Sequence, residues 1–165
     1  MTERAERLGQ VKDTPSLMAP LKRNPDENDL EPACINDIPP KLPEGLYEVV
    51  FMRAEEKAIW GRKKAFLYFR IIQAGDHLGQ VLFMAVTFPT NGRFAVSSKY
   101  LQQWSMAAGK RPARRDRLST KVFRNKSFLA LVRTVKKDSG GKERCETAQY
   151  SVIDKLIKVQ TGASA

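Results

Sequence analysis

A mainly β domain, five strands closed into a small barrel with one helix, is predicted by three features of this chain. Between Leu46 and Val159, five short runs rich in β-branched and aromatic residues are separated by turn-forming segments. Only one segment, beginning at Ser97, switches to a helical apolar period. The length of 165 residues allows one well-buried core and is too short for two.

Residues 1–43 are expected to be a flexible tail. Pro15, Pro20, Pro25, Pro32, Pro39, Pro40 and Pro43 interrupt them, and Asp26-Glu27-Asn28-Asp29 is acidic. So few apolar residues offset little ordering entropy, although Ala33–Ile38 could dock on the domain. The folded domain is expected over 44–160, followed by a short C-terminal tail, 161–165. Leu46–Ala54 reads as strand one and Glu55–Arg62 as a polar loop around Gly61, with Ile59 and Trp60 inside it. Lys64–Gln73 and Gln80–Phe88 read as strands two and three, joined as a hairpin through Ala74–Gly79. From Ser97, Tyr100, Leu101, Trp104, Ala107 and Ala108 mark one helical stripe. Ser97 or Ser98 can cap that helix, and Gly109 and Pro112 end it. Trp104, on the stripe, is expected to plug the barrel. After a basic connector, Lys110–Lys126, come strand four (Ser127–Val135), a loop with Gly140-Gly141, and strand five (Gln149–Val159). This β-β-β-α-β-β order is that of the OB-fold, a five-stranded Greek-key barrel.

Charge narrows the partner. Lys and Arg number 29 against 18 Asp and Glu, a net charge of +11. Residues 1–44 carry 6 basic and 9 acidic side chains, whereas 45–165 carry 23 and 9. A domain this basic favours a polyanion. The two cysteines, Cys34 and Cys145, lie far apart without metal-ligand spacing, which suits a reduced cytoplasmic protein. No apolar run is long enough to cross a membrane, and no signal-peptide pattern opens the chain.

Leu42-Pro43-Glu44-Gly45-Leu46-Tyr47-Glu48-Val49, then Leu67-Tyr68-Phe69-Arg70-Ile71-Ile72 with Gly75 and Gly79, and a helix ending Ala108-Gly109, carry a resemblance. The stretch from Leu42 to Ile157 resembles small OB-fold proteins of phages and mobile elements, similar to single-stranded-DNA-binding proteins. That family is encoded near replication and recombination genes. The resemblance implies single-strand binding in replication or recombination, with replication or recombination proteins as further partners. The chain departs from the pattern at Gln80, where a basic residue is expected. It also ends without the acidic tip through which bacterial single-stranded-DNA-binding proteins recruit partners.

An OB-fold binds strands across strands two and three and the flanking loops, using cations for phosphates and aromatics for bases. The first loop offers Lys57, Trp60, Arg62, Lys63 and Lys64, with Trp60 either stacking on a base or folding over the barrel end. On strand two, Phe66, Tyr68 and Arg70 share one face. They form either a binding face or a surface buried by the helix or tail. Phe83 and Met84 alternate on strand three, and their outward member is left open. The connector supplies Arg111, Arg114, Arg115, Arg117, Lys121 and Arg124, with Lys110 and Lys126 at its ends. Arg93 extends the path near the helix start, and Lys136 and Lys137, with Lys142 and Arg144, belong to the last loop. Catalysis is not expected. His77 is the single histidine and sits in a turn, and phosphate-loop and dinucleotide patterns are absent. Neither a metal nor another cofactor is expected. The sequence therefore points to low-specificity binding of single-stranded DNA, with an RNA-binding barrel or a protein adaptor for a helicase, primase or recombinase as alternatives.

Overall fold

Along Arg62–Ile71 burial alternates: Ala65, Leu67, Phe69 and Ile71 are buried, while Phe66 and Tyr68 are half-buried and Arg70 is exposed. That period of two belongs to a strand with one face on a core. The computed structural model describes residues 39–160; the expected tails over 1–38 and 161–165, and Cys34, lie outside the described residues. Five strands, β1 (Gly45–Ile59), β2 (Arg62–Ile71), β3 (Val81–Thr87), β4 (Ser127–Val135) and β5 (Tyr150–Gln160), form one antiparallel sheet in the order β3-β2-β1-β4-β5. One α-helix, α1 (Lys99–Ala108), lies between β3 and β4 in the chain.

The sheet is open, in contrast to the closed barrel expected: β3 and β5 are its two edges and no ladder joins them. They nonetheless come close, with the Phe83 and Tyr150 ring centroids 6.2 Å apart. The segment Pro39–Leu42 runs along this seam. Ser151 N–H of β5 donates to the Pro40 carbonyl at 3.1 Å, while Pro39 and Pro40 line a groove with Val81, Leu82 and Phe83 of β3. Proline has no N–H to offer a ladder, so these two residues cover an edge without extending it. Ser151, fully buried, accepts from Leu42 N–H at 2.7 Å and donates to the Leu42 carbonyl at 3.1 Å. Leu42 itself is in the core. The residues assigned to the tail at positions 39–43 thus join the domain.

The expected loop Glu55–Arg62 is largely strand. β1 and β2 pair as far as Ile59 and Arg62, leaving a two-residue turn, Trp60-Gly61. Both turn residues have positive φ, 48° and 70°, as a type I′ hairpin requires. One irregularity interrupts this long pair: Phe51 faces Phe69 and Arg53 faces Tyr68, so Met52 is an extra, bulged residue.

Helix α1 starts where Ser98 Oγ accepts the Leu101 N–H (3.2 Å) and ends at Gly109 in the left-handed region. Lys126 adds a second cap by donating to the Ala107 carbonyl at 2.6 Å. The plug of the core is not Trp104. Trp104 is half-buried and donates Nε1–H to the Ser119 carbonyl at 3.0 Å. Tyr100 and Phe123 fill the centre instead, Phe123 meeting Phe51, Phe69, Tyr100 and Phe128 at centroid distances of 5.8–6.4 Å. Phe123 comes from a 3-10 turn, Thr120–Phe123, within the connector, which is therefore part of the core's construction. Gln103 is buried as well, its Oε1 accepting the Leu156 N–H of β5 at 2.7 Å.

Candidate nucleic-acid interface

Pairing register decides which side chains share the outer face of β1–β3. Arg53, Tyr68 and Phe83 lie across from one another, as do Glu55, Phe66 and Ala85, and then Lys57, Lys64 and Thr87. Three aromatic rings consequently form one patch: Phe66–Phe83 at 5.3 Å and Tyr68–Phe83 at 6.3 Å. Tyr150, across the seam, extends it from Phe83.

Cations sit on these rings. The Arg53 guanidinium lies 4.5 Å from the Tyr68 centroid, Lys57 Nζ 5.6 Å from Phe66, and the Arg144 guanidinium 5.3 Å from Tyr150. One carboxylate, Glu55, organises the first two. It pairs with Arg53 at 3.2 Å and Lys57 at 3.5 Å and accepts the Tyr68 hydroxyl at 3.3 Å. Burial, and next the Glu55 charge, hold the Tyr68 phenol above its ordinary pKa. Beneath Arg53, Lys57, Tyr68 and Phe83 runs a groove of about 770 Å³ that also includes Gln80. The Gln80 Oε1 is buried there without a hydrogen-bond partner among the described residues.

The sequence-derived candidates divide by place. Lys57, Lys64, Phe66, Tyr68 and Arg70 share this face, Arg70 one row beyond Tyr68, and Arg62 lies at its other end by the turn. Trp60 stands at the hairpin tip, 81% exposed. Lys63 pairs with Ala58 on the opposite face and lines a second cavity of about 420 Å³ with Phe88 and Phe94. Arg93 is exposed in the loop beside that cavity. The connector's cations have different surroundings. Arg111 and Arg115 flank a separate apolar groove of about 350 Å³, with Val96, Leu101 and Pro112. Arg114 is engaged by Asp116 through two bonds of 3.1 and 2.7 Å, which hold the Asp116 carboxyl below the usual range. Arg117, Lys121 and Arg124 are exposed. The last loop folds as a tight hairpin in which the backbones of Lys137 and Glu143 pair in an isolated antiparallel β-bridge and Asp138 Oδ1 accepts the N–H groups of Gly140 and Lys142. From it Arg144 reaches the aromatic face, while Lys136 borders another groove, with Lys41 and Glu146. His77 is half-buried, edge-on to Tyr47 at 6.0 Å.

Arg53 and Tyr150 are the parts of this face outside the candidates read from the sequence, which placed Arg144 in the last loop and left the choice between Phe83 and Met84 open. Arg53 escapes a period-two reading because the bulge at Met52 reverses its side: unbroken alternation from Val49 would turn Arg53 inward. Phe83 needs the register with Tyr68, and Tyr150 needs the approach of two edges distant in sequence. Among the described residues no helix is long and apolar enough to cross a membrane, and no group of three or more His, Cys, Asp or Glu could hold a metal ion. Comparison with known proteins adds no relative: no family model, no curated protein and no solved structure matches this chain.

Proposed function

We propose that this protein binds single-stranded DNA with little sequence preference, across the outer face of β1–β3, on an OB-type barrel whose β3–β5 seam is spanned by side chains rather than a ladder. The observation that carries the reading is the patch Phe66–Tyr68–Phe83–Tyr150 with Arg53, Lys57 and Arg144 lying on its rings. The strand order, in which β1 is central and β3 and β5 are edges brought near each other, supports the OB assignment.

Magnitudes explain how such a face would work. A cation on an exposed ring contributes about 0.5–1 kcal/mol. A base stacked on the same ring contributes about 1–3 kcal/mol. An arriving base therefore displaces the cation from the ring, and the freed guanidinium or ammonium meets the phosphate. Guanidinium planes also stack on bases, so Arg53 and Arg144 can close over a base they no longer precede. Stacking and phosphate contacts both ignore base identity, which accounts for low specificity. The replication or recombination role in a phage or mobile element rests on the family resemblance alone.

Fluorescence anisotropy with oligothymidine, duplex DNA and RNA at two salt concentrations tests the reading. Oligothymidine should bind best. Phe83→Ala should weaken it by roughly 1–3 kcal/mol, the worth of one stack. Equal binding to duplex, or no effect of Phe83→Ala, refutes it; a preference for RNA reassigns the same face to RNA. A second reading, a docking module for a replication protein, is favoured by the Val96–Leu101–Pro112 groove between Arg111 and Arg115, which suits an apolar residue flanked by carboxylates.

A further inference from the structure

The β1–β2 hairpin carries features that single-strand binding leaves unused. Its tip residue, Trp60, is 81% exposed and holds a positive φ of 48°, in a position where glycine or asparagine is the unstrained choice. An indole kept bare on strained backbone, with nothing of the described domain packed on it, has a flat apolar face to offer a partner. The hairpin's two faces also differ in charge. On the front, Lys57, Lys64 and Arg62 lead from the tip to the aromatic groove, Phe66 lying four residues along β2 from Arg62, about 13 Å at a strand's rise. On the back, the cavity beside Gly61 holds Lys63 together with two carboxylates, Glu56 and Asp116.

We infer that this hairpin is a wedge that recognises the junction between single-stranded and duplex DNA. This rests on the single-strand reading of the front face. One strand lies along the cationic front into the groove. The last base pair of the duplex then abuts the tip, where the indole stacks on its exposed face. The complementary strand meets a back face on which Glu56 is offset by Lys63 and Asp116 is already paired with Arg114, so only the front holds a strand by charge. No bond is made or broken: the hairpin reads a fork already present.

The test compares an oligothymidine with the same oligothymidine extended from a blunt-ended DNA hairpin, using the full chain. The forked probe should bind roughly 5- to 150-fold more tightly, the range one base–aromatic stack confers. That preference should fall towards one in Trp60→Ala and persist in Trp60→Phe, which keeps a flat ring. In a Trp104→Phe background, the forked probe should quench Trp60 emission more than oligothymidine does. Oligothymidine binding without fork preference overturns the wedge and leaves the single-strand reading intact. A fork preference that survives Trp60→Ala overturns the role of the tip. Failure to bind oligothymidine at all overturns the single-strand reading itself, and the wedge with it.

Discussion

Single residues set several energies independently of any ligand. Gln103 is polar, buried and bonded to the Leu156 N–H through its Oε1. Gln103→Leu keeps the volume but strands that N–H, and should cost about 1–3 kcal/mol in denaturant unfolding. Phe123 has no exposed surface and four aromatic neighbours, so Phe123→Ala should cost about 3–5 kcal/mol. Trp104→Ala, at a half-buried site, should cost less than Phe123→Ala; the reverse order would make the indole the true plug. Lys99 works against the fold. Its pKa is lowered, first by burial and also by Arg133, with Asp154 opposing, and it stands in the first turn of α1, where the helix dipole disfavours a cation. Because the folded state binds this proton less tightly than the unfolded chain, stability should rise with pH as the folded-state ammonium deprotonates below 10.5. Lys99→Gln should therefore raise Tm at neutral pH, with the gain shrinking as pH approaches 10.5. A gain that is constant with pH would mean the charge is not its cause.

At the scale of the element, the β1–β2 hairpin trades stability for exposure. Its turn, Trp60-Gly61, needs two left-handed residues, and only the second is glycine. Trp60→Asn creates the Asn-Gly pair that type I′ turns favour, and should stabilise the domain by about 1 kcal/mol. Unchanged or lowered stability would show that the indole is packed rather than bare. The bulge at Met52 is the second device. It lets Val49 and Phe51 face the core and Arg53 still face outward, over Tyr68. Deleting Met52 should restore a regular ladder that keeps Arg53 opposite Tyr68 and Ala54 opposite Leu67, so oligothymidine binding should persist; its loss would show that the kink of the bulge itself positions Arg53.

For the whole molecule, charge and the seam are the relevant quantities. On single strands, log affinity falls with log salt by about 0.7 per phosphate contact. Replacing Arg53, Lys57 and Lys64 together by Ala should flatten the oligothymidine slope by roughly 2. The triple Arg114, Arg115 and Arg117 to Ala should flatten it less, because Arg114 is committed to Asp116 and Arg115 borders another groove. Equal flattening would return the connector to the strand's path. The seam gives a truncation test. Removing residues 1–38 should leave one cooperative unfolding transition. Removing 1–42 should lower stability by at least about 2 kcal/mol, since buried Leu42 and the partners of buried Ser151 go with it.

Five runs with period two, one with helical period, and turn residues between them are local features, and they place β4 at Ser127–Val135 and the end of α1 at Ala108 without help from the fold. The sharing of one face by Phe66, Tyr68 and Arg70 is equally local, a consequence of alternation along one strand. The strand Glu55–Ile59 was hidden because charged residues fill it; pairing with β2 supplies the backbone bonds that its composition does not advertise. Arg53 depends on a bulge, which reverses side-chain parity without a composition signal. The contribution of Tyr150 and Arg144, the core role of Phe123 and the docking of Leu42 all come from segments far apart in the chain. Those contacts are determined by how the sheet curls and by which apolar side chain fills the space it leaves, and only the tertiary structure fixes that.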